Sequence, residues 1–368
     1  MEIRSLNNKH KPDFLTLVFI FIIIAFGLIM LASASSDLAK TKFGDSYQYL
    51  NHQILYGLIP GFLGFLIFSN LNYANLKKWA TAALIVNILL LLLVFSPFGV
   101  SAGGADRWLQ IGPVVFQPSE LLKIVFIVYM AAWLSGNEKR KNDLFSGYFP
   151  FLIICGIIAA LLLIQPSTST VAILMASALI IYFVSGARIS YILATVVLGI
   201  VGFLLISYIT PYRWQRVMSF IDPSQNILGA SYHINQSKIA IGAGNLFGVG
   251  YGQSTNKINY LPEPIGDSIF AVIAEEFGFL GGLALILCFL ILITRIFILS
   301  KKTNDQFGRL LLVGFGSLIA IQAFVNMGAI SGLLPLTGMP LPFISYGGTA
   351  LAVFMSISGI IINISKNN

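Results

Sequence analysis

Apolar residues run through this chain in blocks of about twenty, separated by short polar stretches. An α-helix rises about 1.5 Å per residue, so a block of that length crosses the roughly 30 Å of hydrocarbon in a bilayer. Such blocks fall at 14–34, 50–70, 77–96, 119–135, 148–165, 170–185, 189–208, 268–294, 308–330 and 341–364. The pattern predicts an all-α polytopic membrane protein with ten transmembrane helices, forming one integral-membrane domain over 1–368. The first block is too long for a signal-peptide core, and Ala32-Ser-Ala-Ser-Ser36 is a weak cleavage site, so it is read as a retained helix.

Lysine and arginine fix the expected orientation, because they collect on the cytoplasmic side of short loops. With a cytoplasmic N-terminus, the inner face holds Arg4, Lys9, Lys11, Lys77, Lys78, Lys139, Arg140, Lys141, Arg188, Arg295, Lys301, Lys302, Arg309 and Lys366, which is 14 of the 22 basic residues. Both termini are then expected inside. Two connections exceed the usual loop length, 97–118 and 209–267, and both fall on the outer face. The second, between helices 7 and 8, is too rich in Tyr, Trp, Ile and Gly turns for a disordered linker. Within it, Tyr232, Ile234, Ile239 and Ile241 form a helical apolar stripe that predicts an interfacial amphipathic helix.

Composition agrees: 57% of residues are hydrophobic and 10% charged, with a mean hydropathy of +0.86. A soluble domain of this size is excluded. The formal charge of +8 is scattered among inter-helix loops rather than gathered into a patch, so membrane topology accounts for it and nucleic acid does not. Cys155 and Cys288 both lie inside apolar runs and read as packing residues.

Four polar stretches interrupt the apolar pattern on its outer side. In the first, Arg107-Trp108 is followed by Gln117-Pro118-Ser119-Glu120-Leu-Leu-Lys123. Pro118 suits a first helical turn, which puts Glu120 and Lys123 three apart on one face, as a packing ion pair or as a source of cation for an anionic headgroup. The second, Pro211-Tyr-Arg213-Trp214-Gln-Arg216, sets arginines beside aromatics and suits diphosphate recognition or a membrane anchor; His233 and Lys238 extend its basic surface. In the third, Asp267 opens the eighth helix, either as a helix cap or as a working carboxylate. Ala271, Ala274, Gly278 and Gly282 follow it along one face and permit close approach of a neighbour. Glu275 and Glu276, deeper, are expected to be protonated or paired and structural. The fourth, Leu334 to Gly348 with Ser345, Tyr346 and Gly347, carries three prolines and three glycines and predicts a broken or re-entrant segment lining the outer site.

Together these stretches resemble the SEDS family of bacterial membrane proteins (shape, elongation, division and sporulation). The likeness rests on Arg107-Trp108 with Gln117 to Lys123, Arg216-x-x-Ser-Phe-Ile-Asp222-Pro223, Pro262-Glu263 to Glu275-Glu276, and Pro340-Leu-Pro342-Phe-Ile-Ser345-Tyr346-Gly347-Gly348. Many relatives carry His-Thr-Asp where this chain has Ile265-Gly266-Asp267; the aspartate is kept and the histidine is absent. The resemblance implies a peptidoglycan glycosyltransferase that polymerises lipid II into a glycan strand outside the cytoplasmic membrane. It also implies a class B penicillin-binding protein as partner, among division or elongation proteins. The FtsW-type division branch resembles this chain more than the RodA branch does. Asp267 is implied as the essential acid, with Arg107, Trp108, Gln117, Glu120, Lys123, Arg213, Arg216, His233, Lys238, Ser345, Tyr346 and Gly347 around the substrate and a divalent cation, Mg or Mn, as the cofactor this chemistry could recruit. A lipid II flippase and a non-catalytic scaffold are the rival readings; the first needs polar residues along a whole transmembrane path, and here they concentrate on the outer half.

Overall fold

The computed structural model describes residues 11–102, 105–112, 114–136, 140–222 and 231–367. Arg4, Lys9 and Lys139 of the orientation argument and Pro223 of the second motif lie outside them. Among the described residues, eight helices are long and apolar enough to cross a membrane. They are α1 (Phe14–Phe43), α2 (Gln48–Asn70), α3 (Ala74–Leu93), α5 (Leu144–Ile164), α7 (Ile189–Ile209), α10 (Ile269–Lys302), α11 (Gln306–Ile330) and α12 (Gly348–Lys366). The blocks expected at 119–135 and 170–185 are also helices, α4 (Pro118–Leu134) and α6 (Thr168–Val184), of 17 residues each. At 1.5 Å per residue each reaches about 26 Å, slightly short of a full crossing.

The bundle is layered by burial. α11 and α12 are enclosed on nearly all sides, whereas α7 is almost wholly exposed, as a lipid-facing helix must be. α2 and α12 cross closely: a Cβ on Gly61 would stand 3.0 Å from the Ala352 Cα, so backbone meets backbone. Asp13 ties the start of the chain to two later helices: it caps α1 through the Thr16 amide, receives the Arg295 guanidinium of α10, and its N–H donates to Ser365 Oγ of α12 (3.1 Å).

Three expectations are corrected. The connection at 97–118 is an antiparallel three-stranded sheet, β1 (Gly99–Ala102), β2 (Ala105–Ile111) and β3 (Val114–Phe116), so the fold is not purely α. On β2, Leu109 is buried between half-buried Trp108 and exposed Gln110, a pattern too short to stand out beside long apolar blocks. The tenth helix starts at Gly348 rather than 341, because 332–347 is irregular and mostly packed inside protein. The expected amphipathic helix exists, but it buries Ile234, Ser237 and Ala240 while Ile239 faces out. Small residues on the buried face let it lie against α10 and α11 instead of floating at an interface.

The long connection 209–267 is organised as α8 (Pro211–Ile221), α9 (Tyr232–Ala243) and a short helical turn at Asn256–Asn259. Its middle inserts into α10, which is broken at Gly278 (φ 67°, ψ −166°). Across the break, Val249 and Gly250 N–H groups donate to the Glu275 and Glu276 carbonyls (3.0 Å each), and Phe279 and Leu280 donate to Asn245 and Leu246 (2.8 and 3.2 Å). Thus the small-residue stripe receives a loop backbone.

Beside that junction both deep glutamates are paired, as expected. Glu276 accepts from Lys257 (2.7 Å) and Ser33 (2.6 Å), and Glu275 accepts from Ser254 (2.5 Å) and the Asn256 amide (2.9 Å). All these carboxylates and Lys257 are buried. They pin α1, the inserted loop and α10 to one another.

Candidate functional site

Asp267 does not begin the helix. α10 starts at Ile269 with Ser268 at its cap position, and Asp267 sits in the preceding turn, Glu263 to Ser268. The cap reading therefore falls, since no side-chain capping bond is made there. The residue is half-buried, but its Oδ1 atom is sequestered without a hydrogen-bond partner. A carboxylate in that position is short of solvation, and desolvation favours the protonated form. Burial pushes the Asp267 carboxyl up to about 7, the negative charge of Glu263 adds to this, and Arg216 with the Asp267 and Ser268 backbone N–H groups opposes it.

Three segments converge on this carboxyl. From α8, Arg216 donates to the Leu336 carbonyl (3.4 Å). Its guanidinium and the Asp267 Oδ2 both border Gly338: a Cβ there would stand 3.7 Å from the arginine nitrogens and 3.8 Å from the carboxylate. Gly338 holds φ +66°, so a left-handed backbone and a missing side chain together keep this space between cation and acid open. From α9, His233 Nε2 meets Ser268 Oγ at 2.6 Å. Burial and the charge of Arg216 push its imidazole down to about 4, so it is neutral here. Arg216, Ser219, Phe220, Ile234 and Leu336 line a small depression between α8 and α9.

The proline-glycine segment holds the acid-bearing turn from the other side. Ser345 Oγ donates to Gly266 O (2.7 Å), the Tyr346 N–H donates to Ile265 O (2.8 Å), and the Gly347 N–H donates to Gln53 Oε1 (2.9 Å). Tyr346 also pairs its hydroxyl with His52 (3.0 Å) and packs edge-on against Tyr49. These residues build the wall of the site rather than presenting free groups to it.

The remaining candidates lie further off. Lys123 is completely buried and bonds Glu120 (2.7 Å) and Gln322 (2.9 Å), so of the two readings left open for this spacing the structure shows the packing pair, and neither residue lies at the substrate as the resemblance implied. Arg107 donates to the Gln165 and Pro166 carbonyls (3.0 and 2.5 Å), with half-buried Trp108 next to it on β2. Ser169, in the first turn of α6, bonds Thr337 O (2.6 Å) and so links that connection to Gly338. Arg213 turns to Thr210 and Leu163 O (3.4 Å each). The Gln117 N–H donates to Thr349 (3.3 Å), and exposed Lys238 lies over Gly332. Among the described residues no group of three His, Cys, Asp or Glu side chains could hold a metal ion.

A family model described as Cell cycle protein, FtsW/RodA/SpoVE, matches residues 13–368. The chain belongs to the FtsW/RodA/SpoVE family. It is 38% identical over 354 residues to a protein of Geobacter sp. (strain M18) named probable peptidoglycan glycosyltransferase FtsW, covering 96% of each chain. It is 35% identical over 360 residues to stage V sporulation protein E of Bacillus subtilis (strain 168), covering 98% of each. Among solved structures, it superposes with a TM-score of 0.80 and 26% identity on a chain from work on structural coordination of polymerization and crosslinking by a peptidoglycan synthase complex, covering 96% of this chain and 97% of that one. The resemblance read from the four motifs is borne out over the full length.

For this member of the FtsW/RodA/SpoVE family, sequence reasoning missed Gly338, Gln322 and Asn326. Asn326 donates its amide to Asp267 O (2.9 Å) and to Met339 O (2.7 Å), and Gln322 donates to Pro340 O (2.8 Å). Both amides sit inside an apolar span, one helical turn apart, and polar side chains at membrane depth are the signal that could have found them.

Proposed function

We propose that this protein is a peptidoglycan glycosyltransferase that polymerises lipid II on the outer face of the cytoplasmic membrane. The observation that carries this is the pairing, across an empty glycine position, of a carboxyl that holds its proton up to about pH 7 with a guanidinium. A general base works best with a pKa near the operating pH. Asp267 takes the proton from the 4-hydroxyl of the acceptor sugar, and that oxygen attacks the anomeric carbon of the donor from the face opposite the diphosphate. The C–O bond to the diphosphate breaks, the centre inverts, and undecaprenyl diphosphate leaves. Arg216 offsets the charge that develops on the leaving group, a role that bidentate guanidinium geometry suits. A Mg or Mn ion, if recruited, would take most of its ligands from diphosphate and water, as hard cations do.

The names of the FtsW-type relatives support the reaction and a septal role, and the neighbour associated with polymerization and crosslinking supports a class B penicillin-binding protein as partner. In this reading α4 and α6 complete ten spans, both termini are cytoplasmic, and 209–267 with the Asp267 turn faces outward. Divisome or elongasome membrane proteins are its further partners. The test is polymerisation of labelled lipid II by the protein purified with its cognate transpeptidase. Asp267→Ala and Asp267→Asn are expected to lose at least about 10²-fold in rate, the lower bound for a positioned base. The wild-type rate is expected to fall below a pH near 7. Full polymer from both variants refutes the base; movement of lipid II across vesicles without polymer favours the flippase, and full cellular function of Asp267→Asn favours the scaffold.

A further inference from the structure

The Asp267 turn is held in place through its backbone by a side chain that does not itself reach the reacting groups. Asn326 on α11 is 1% exposed. Its two amide hydrogens serve two different segments: one reaches Asp267 O at 2.9 Å and the other Met339 O at 2.7 Å. Two carbonyl acceptors around one group fix the orientation of the amide, because a flipped side chain would turn its oxygen onto two other oxygens. Asn326 therefore ties the residue that carries the acid to the residue after Gly338, the glycine that spaces the acid from Arg216. One turn earlier, Gln322 holds Pro340 O in the same segment and is itself anchored by buried Lys123. The Oδ1 of Asn326 is buried and has no hydrogen-bond partner. An amide kept at membrane depth with half of its hydrogen-bonding capacity unmet is poorly explained by stability alone, since an apolar side chain would avoid that penalty.

We infer that Asn326 is a positioning residue for the glycosyl transfer: it sets the register between the Asp267 turn and the Gly338 segment, and so fixes the gap in which acid and cation meet substrate. The inference rests on Asp267 being the base. Losing the bridge frees the two segments to move apart by an ångström or so, a misplacement that lowers rate by about 10²-fold where geometry is optimised. It also lets water reach the carboxyl, which removes desolvation and moves its titration down toward the ordinary carboxylate range. The charged groups acting on Asp267 are Glu263 in its own turn and Arg216 from α8, while His233 from α9 meets the adjacent Ser268. His233 stays neutral above about pH 4, so the acidic limb of the rate reports the carboxyl in its field of Glu263 and Arg216.

The experiment measures kcat, KM and the pH profile of lipid II polymerisation by the transpeptidase complex carrying Asn326→Ala or Asn326→Ser, with Asp267→Asn in parallel and Tm recorded for each. The expected result is a kcat reduced about 10²-fold in the alanine variant. The serine variant, which can donate to one carbonyl only, should fall between it and the wild type. KM should be little changed, and the acidic limb should move to lower pH. Folded variants with wild-type kcat and an unmoved limb overturn the inference, as does failure of both variants to fold, which would assign Asn326 to stability. If Asp267→Asn polymerises normally, the base assignment fails instead, and the inference falls with it.

Discussion

Replacing Asp267 by asparagine should make the protein more stable as it removes the activity, and the gain should depend on pH. In the unfolded chain the carboxyl loses its proton near 3.8; in the folded protein it holds it until about 7. Between those values the folded state binds more protons than the unfolded state, so the unfolding free energy falls as pH rises from about 4 to about 7 and levels off above. At about 1.36 kcal/mol per pH unit, the whole displacement destabilises the wild type by about 4 kcal/mol at pH 8. Asparagine does not titrate, and its amide has a similar shape. Because the amide must also be buried, the difference between two pH values is the cleaner observable: by the same constant, the gain from Asp267→Asn should be about 2–3 kcal/mol larger at pH 8 than at pH 5. The assay is unfolding of both proteins in one detergent at the two pH values, followed by intrinsic fluorescence. By the usual size scaling of Tm, the extra stabilisation at pH 8 should amount to about 2–6 °C. An equal gain at both pH values, or a variant less stable than wild type at pH 8, refutes the premise that desolvation raises the proton affinity of this carboxyl. The expected coupling of lost activity with gained stability is that of a strained functional group.

Two further outcomes concern the scaffold. Lys257→Met leaves the Glu276 carboxylate buried without its cation and should destabilise by about 3–5 kcal/mol, whereas Lys257→Met with Glu276→Leu should recover most of that loss; denaturant unfolding of both checks it, and a single variant as stable as wild type counts against the pair. Gly278→Ala places a Cβ 2.3 Å from the Gly248 nitrogen at a φ of +67°. It should reduce the yield of monodisperse folded protein in size-exclusion chromatography at least several-fold, since backbone cannot yield as a flexible side chain would, and a normal yield would mean that the loop is not locked into the break.

The membrane helices were legible because their signal is long and redundant: a block such as Phe14 to Ala34 keeps its apolar character whichever residue is examined. Asp267 was legible for the opposite reason, as an isolated charge beside such a block. What escaped was whatever depends on a partner remote in the chain. The break at Gly278 lies in a run whose only charges are Glu275 and Glu276, and it becomes visible only when residues 245–250 supply the hydrogen bonds. Arg216 and Arg213 are equivalent in sequence, and only folding turns one toward Asp267 and the other toward Leu163 O. The Lys123–Glu120 spacing correctly suggested a pair, but Gln322, 199 residues further along, is what encloses the ammonium.

The broken helix also limits where this protein can move. The four backbone bonds across Gly278 replace ones that α10 cannot make for itself, and away from water each orphaned peptide group costs several kcal/mol. Residues 245–250 are therefore as much a permanent part of the membrane-embedded frame as a helix is, and they cannot swing aside to admit a lipid. A substrate that enters from the membrane must therefore do so past some other part of the outer connection.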